Sequence, residues 1–120
     1  MKRLLLLGTA LLTGACQQQQ IALADRPAVE SGARGQALAA ASCARCHGIQ
    51  RGSTVSPNPR APSFPTIVNQ QGLTRGTLSS WLLDAHNYPS EMDVQLDSKN
   101  VDDLVDYMLT LSDPNYKPIG

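Results

Sequence analysis

The sequence predicts an all-α domain built around a flat prosthetic group, and three observations carry that expectation. Apolar residues recur at three- and four-residue steps in several segments, and no run alternates as a strand would. The chain of 120 residues holds a single Phe and a single Trp, so its own side chains make a thin core. Cys43-Ala44-Arg45-Cys46-His47 is a C-x-x-C-H run, the pattern of covalent c-type haem attachment, in which both sulfurs become thioethers and the histidine ligates iron. Residues at i, i+3 and i+4 share one helical face, so Cys43, Cys46 and His47 can grip one planar ligand together. A buried haem would supply the missing apolar surface, and the haem-free chain is expected to fold poorly.

Other uses of the two cysteines fit less well. Structural zinc takes four protein ligands, no cysteine follows Cys46, and only His47 and His86 remain to complete a site. A thioredoxin-like dithiol belongs with a βαβ pattern, and nothing here alternates like strands.

The chain begins as an export signal. Lys2-Arg3 forms a basic head before the apolar run Leu4 to Leu12, which is too short to span a bilayer. Two cleavage sites compete. Ala22-Leu23-Ala24 before Asp25 has the small-x-small pattern of ordinary signal peptidase. Leu12-Thr13-Gly14-Ala15-Cys16 resembles a bacterial lipobox, with Thr13 where leucine is preferred, and would leave Cys16 lipidated at the N-terminus. The expected organisation is a signal over 1–15 or 1–24, a tether or flexible N-terminus over 16–28, a domain over 29–115 and a tail over 116–120. The destination is the periplasm, with a membrane anchor if Cys16 is acylated.

Ten basic and ten acidic side chains exclude a nucleic-acid binder by charge. From Asp25 onward the balance is eight against ten, with arginines dominating before Arg75 and carboxylates after it. Such segregation either orients docking to a partner or is simply a solvated face.

Val29 to His47 reads as one helix, rich in alanine and free of proline. Gly35 sits inside it at a cost of about 1 kcal/mol relative to alanine, so the close approach of another helix is expected there. Gly52 to Pro65, with Pro57, Pro59, Pro62 and Pro65, predicts a stiff extended loop lining one face of the ligand. Pro65 is expected at the first position of a short helix with Ile67 and Val68 as apolar contacts and Gly72 as its terminator. Thr74 caps the next helix, through about Ala85, with Leu78, Trp81 and Leu82 on one stripe. The last helix is capped by Asp97 or Ser98 and carries acidic side chains in its early turns. Val101, Leu104, Val105, Met108 and Leu111 form its stripe, and Asp113-Pro114 stops it.

The second axial ligand decides what the iron can do. Met92 lies in a polar loop with no helical stripe to join, which makes it the expected partner of His47. Met108 belongs to the apolar stripe and is read as core. His86 is the competing ligand, in a bis-histidine arrangement.

With these residues in view, the chain resembles the class I c-type cytochromes from Gly35 to Leu111. Gly35, eight residues before Cys43, matches that family's N-helix glycine, and Tyr107 in Asp103-Leu104-Val105-Asp106-Tyr107 matches the C-helix aromatic that packs on it. The resemblance implies the cytochrome c fold, with N- and C-terminal helices packed crosswise and short helices and loops around one covalent haem c. It implies that Pro62, with Pro59 as an alternative match, accepts a hydrogen bond from the proximal histidine. It also implies that Trp81 or Tyr88 contacts the haem propionates, although Trp81 fits plain core as well. Met92 falls where the family places its sulfur ligand. Two positions depart from the pattern: Glu91 stands where many members have proline, and Ala39 replaces an N-helix aromatic, which implies a lightly packed haem edge.

The function this implies is transfer of single electrons by a non-enzymatic, monomeric carrier that docks transiently on a redox donor and acceptor. Two alternatives stay open. One is a haem protein with a labile or His86 distal ligand, assisted by Arg60, that senses gases or reacts with peroxide. The other is a cytochrome subunit of a dehydrogenase or oxidase complex.

Overall fold

A computed structural model of the chain describes residues 26–84 and 94–117. Cys16, His86, Tyr88 and Met92 therefore lie outside the described residues. The order of elements is α1 (Arg26–Leu38), a π-helical turn (Ala39–Cys43), α2 (Phe64–Val68), α3 (Arg75–Asp84) and α4 (Ser98–Leu109), with no strand among the described residues. No helix among them is long and apolar enough to cross a membrane.

The last helix is the centre of the core. Asp97 caps it by accepting the backbone N–H of Asn100 at 2.7 Å. Its acids begin only in the second turn, at Asp102, and regular helix ends at Leu109, before the expected stop at Asp113-Pro114. Val101, Leu104, Val105 and Met108 are buried along one face, with Leu111 just beyond the helix. Each such side chain stabilises the fold by about 1.5–3 kcal/mol relative to exposure. Leu78 and Leu82 of α3 pack on them, as do Phe64, Ile67 and Val68 of α2.

α1 packs on α4 more extensively than any other pair of helices. Its Gly35 explains why: a Cβ there would lie 1.9 Å from the Asp103 carbonyl oxygen and 2.9 Å from Tyr107 Cβ. Beside this contact the Asp103 carboxylate, only 5% exposed, accepts hydrogen bonds from Ser31 Oγ at 2.6 Å, Arg34 Nε and Nη2 at 2.8 and 2.7 Å, and Lys99 Nζ at 2.8 Å. Arg75 of α3 pairs likewise with Asp106 of α4. The segregation of charge along the sequence is thus partly consumed inside the fold, where early arginines meet late carboxylates.

These partners, Arg34 foremost, then Lys99 and Ser31, hold the Asp103 carboxyl well below the usual carboxylate range against the opposing effect of burial. A depressed folded-state pKa contributes stability that is complete above the unfolded-chain value of about 4 and is lost as pH falls below it. Asp103→Asn is accordingly expected to lower stability at pH 7 by about 1–3 kcal/mol. It should also flatten the decline of melting temperature below pH 4. Thermal unfolding at pH 7 and at pH 3 checks both, and equal acid slopes for parent and variant would contradict the assignment.

Several elements differ from the sequence reading. The single helix expected over Val29 to His47 starts at Arg26 and widens after Leu38, where Ala44 N bonds to Ala39 O at 3.0 Å, five residues back. One extra residue in a helical ladder turns the face that follows by about 100°. Ala39 is completely buried at the start of this turn. In α2 Phe64 rather than Pro65 takes the first position, after an Ser63 cap, and Asn69 closes the helix three residues before Gly72. Thr74 caps α3 by accepting the N–H of Thr77 at 3.1 Å, and α3 ends at Asp84. Trp81 is 44% exposed, so it lies off the buried stripe of Leu78 and Leu82.

Candidate haem site

The C-x-x-C-H segment begins on Cys43, the last residue of the π-helical turn. Cys46 N and His47 N both donate to Cys43 O, at 3.0 and 2.9 Å, so the segment coils into a tight turn. The chain then doubles back over it. Gly48 permits this, because a Cβ there would meet Val55 O at 2.5 Å and Ser53 Cβ at 2.9 Å. Asn58 N bonds to Cys46 O at 3.1 Å, Gly48 N donates to Ser56 Oγ at 3.0 Å, and Phe64 N bonds to Gly48 O at 2.8 Å. The proline-rich loop is thereby fastened along its length to the backbone of the motif.

This folding brings His47 Nδ1 to 2.7 Å from the carbonyl oxygen of Pro62. A carbonyl only accepts, so Nδ1 carries the proton and donates it, and Nε2 is the unprotonated nitrogen of the neutral ring. The partner is Pro62, not the alternative Pro59. The Phe64 ring lies 5.7 Å from the imidazole, centroid to centroid, tilted by 48°.

A cavity of about 570 Å³ opens beside this arrangement, within the range of about 300–1,000 Å³ that encloses one small molecule or cofactor. Ser42, Cys43, Cys46 and His47 form one wall, and Asn58, Arg60, Ala61 and Pro62 of the loop form another. Phe64, Ile67, Leu82, Leu104 and Met108 give it an apolar interior. Trp81 of α3 and the segment before α4, through Val94 and Leu96, complete the lining. Met108 is completely buried in the core, as its place on the α4 stripe requires, while also bordering the cavity. Burial, with Cys46 nearby, pushes the Cys43 thiol up to about 11, so the free side chain is a protonated thiol at neutral pH.

The residues present fit a haem. Two thiols and an imidazole whose second nitrogen is already engaged stand on one wall of an apolar cavity, and no group of three His, Cys, Asp or Glu able to hold a bare metal ion occurs among the described residues. Sequence reasoning assembled that wall but missed Asn58, Val94 and Leu96. Nothing in their local sequence marks them as lining residues.

An all-α chain wrapped around a cavity with this wall defines a class, the proteins that enclose one thioether-linked haem. The particular membership follows from comparison: the family model for cytochrome c matches residues 32–112, and the chain belongs to that family. No curated protein and no solved structure matches it significantly. It is an electron-transfer protein that binds haem c covalently.

Proposed function

We propose that Cys43 and Cys46 would carry the two thioethers, that His47 Nε2 and Met92 sulfur would ligate the iron, and that the protein carries single electrons between redox partners in the periplasm. The observation that carries this reading is the His47–Pro62 contact on the wall that also bears both cysteines. A ligating histidine that donates its other N–H to a carbonyl is fixed in orientation and made a stronger base toward the metal. Met92 is supported by the polar sequence around it, which offers no helical stripe to join, and by connectivity, since Val94, two residues on, lines the cavity.

When bound, haem supplies the one-electron couple of its iron. The chain's own residues set the conditions for it. Phe64, Ile67, Leu82 and Leu104 exclude water, which disfavours the extra charge of the ferric state and raises the midpoint potential. The Met92 thioether favours ferrous iron and acts in the same direction. With His47 and Met92 both holding the iron, no ligand would need to move on electron transfer. Trp81 and Tyr88 are the proposed contacts to the propionates. The carrier acts as a monomer, and its docking on donor and acceptor is small and transient. It is exported, and either released with Asp25 at its N-terminus or anchored through an acylated Cys16, alternatives that the mass of the exported protein separates.

The optical spectrum of the ferric holoprotein tests the ligand pair. A weak far-red band from sulfur bound to ferric haem is expected, and Met92→Ala should abolish it. A band that survives the substitution would remove Met92 from the site. If the parent has no band and its reduced form binds carbon monoxide readily, the carrier reading gives way to ligand chemistry.

A further inference from the structure

The carbonyl that holds His47 belongs to a peptide group that is itself held from behind. Ser63 follows Pro62 and caps α2 with φ −68° and ψ 154°, its Oγ accepting Thr66 N at 3.3 Å. That Oγ is also 2.9 Å from Thr66 Oγ1, which in turn is 2.9 Å from the hydroxyl of Tyr116, fifty residues further along the chain. Ser63 is buried, at 3% exposure. Fixing its φ fixes the plane of the peptide that contains the Pro62 carbonyl. Tyr116 is brought there by a clasp: Asp113 N donates to Asn69 Oδ1 at 2.7 Å, Asn69 Nδ2 donates to Pro65 O at 2.9 Å, and Tyr116 N bonds to Asp113 O at 3.0 Å. The tail expected from residue 116 opens with a side chain anchored on α2.

We propose that Tyr116, Thr66 and Ser63 form a hydrogen-bond relay that aims the Pro62 carbonyl at His47 and so sets the electron-donating strength of that imidazole. The proposal rests on the reading of His47 as an axial ligand. Each hydroxyl of Tyr116, Thr66 and Ser63 can donate to or accept from its neighbour, and bonds in such a chain polarise one another. Tyr116 is thus a positioning residue, acting on His47 through Thr66, Ser63 and Pro62. A slackened relay lets the carbonyl turn away from Nδ1–H. The imidazole then becomes a weaker donor, ferric iron loses stabilisation and the midpoint potential rises.

The test uses the holoprotein with Tyr116→Phe, Thr66→Val and Thr66→Ser, reading the midpoint potential by redox titration and the Nδ1–H resonance of His47 in the ferrous protein by NMR. Loss of a direct partner of a ligating histidine typically costs ten- to a hundredfold in metal affinity or activity, and from these more remote positions a rise of about two- to fivefold in the ferrous-to-ferric ratio at fixed applied potential is expected. Tyr116→Phe and Thr66→Val should both show it, together with faster exchange of the Nδ1 proton. Thr66→Ser keeps the hydroxyl and should retain the parental potential. A fall in melting temperature with potential and Nδ1–H unchanged would reduce the network to a structural clasp and overturn the relay. A parent in which the His47 imidazole shows no ring-current shift from haem would overturn the ligand reading and the relay together, so the two failures are told apart.

Discussion

Gly35→Ala is expected to destabilise the folded domain by about 3 kcal/mol or more. The added methyl would meet the Asp103 carbonyl oxygen at 1.9 Å and its carbon at 2.5 Å, and backbone cannot swing aside as a long side chain can. α1 would have to lift from α4, stretching the bonds of Ser31 and Arg34 to Asp103. Overpacking of a tight core costs about 1–3 kcal/mol even where side chains absorb it. The helix-propensity gain of alanine over glycine, about 1 kcal/mol, offsets only part of this. Gly32, one turn earlier, is the control. A Cβ there finds its nearest neighbour at 3.9 Å, ordinary contact, so Gly32→Ala should be neutral or stabilising by up to about 1 kcal/mol. Denaturant titration of the two holoprotein variants against the parent decides the matter, and similar effects at both positions would refute the account.

The second large effect is that of the haem itself. With Cys43→Ala, Cys46→Ala and His47→Ala combined, the chain is expected to lose cooperative unfolding altogether. An apolar void costs about 24 cal/mol per Å³. The cavity of about 570 Å³ would then carry roughly 14 kcal/mol, an upper bound because its mouth admits water. A whole domain has only about 5–15 kcal/mol of net stability. Far-UV circular dichroism during heating should show a broad, shallow change where the holoprotein shows a sharp transition. A sharp transition in the haem-free chain would mean that α1, α3 and α4 close without the cofactor.

The parts of the fold that were legible in sequence are those where one local pattern dictates one local outcome. The α4 stripe at Val101, Leu104, Val105 and Met108 is buried as its periodicity required. A glycine in the middle of a helix signalled close approach, and Gly35 meets α4 backbone. The C-x-x-C-H spacing placed three side chains on one wall of the cavity. What stayed hidden depends on tertiary partners. Nothing in Ala39-Ala40-Ala41-Ser42-Cys43 distinguishes a π-helical turn from an α-helical one, because alanine serves both and the choice is made by packing. Phe64 outranked Pro65 as first residue of α2 because its N–H was claimed by Gly48 O, a contact between distant segments. The carboxylate of Asp103 looked like one of several surface acids until α1 supplied Ser31 and Arg34. Tyr116 and Asn69 carried no signal, since a clasp between residues some forty apart leaves no periodic trace.

The seam between α1 and α4 also sets an order of events. It joins the first helix of the domain to the last, and the segment with both thiols lies between them in the chain. During synthesis the seam cannot form until α4 has emerged, so Cys43 and Cys46 first belong to an open chain that can be approached from every side. Closure comes afterwards and encloses whatever has been attached. The position of two helices along the chain thereby acts as a timer, leaving a window for covalent modification that shuts when α4 arrives.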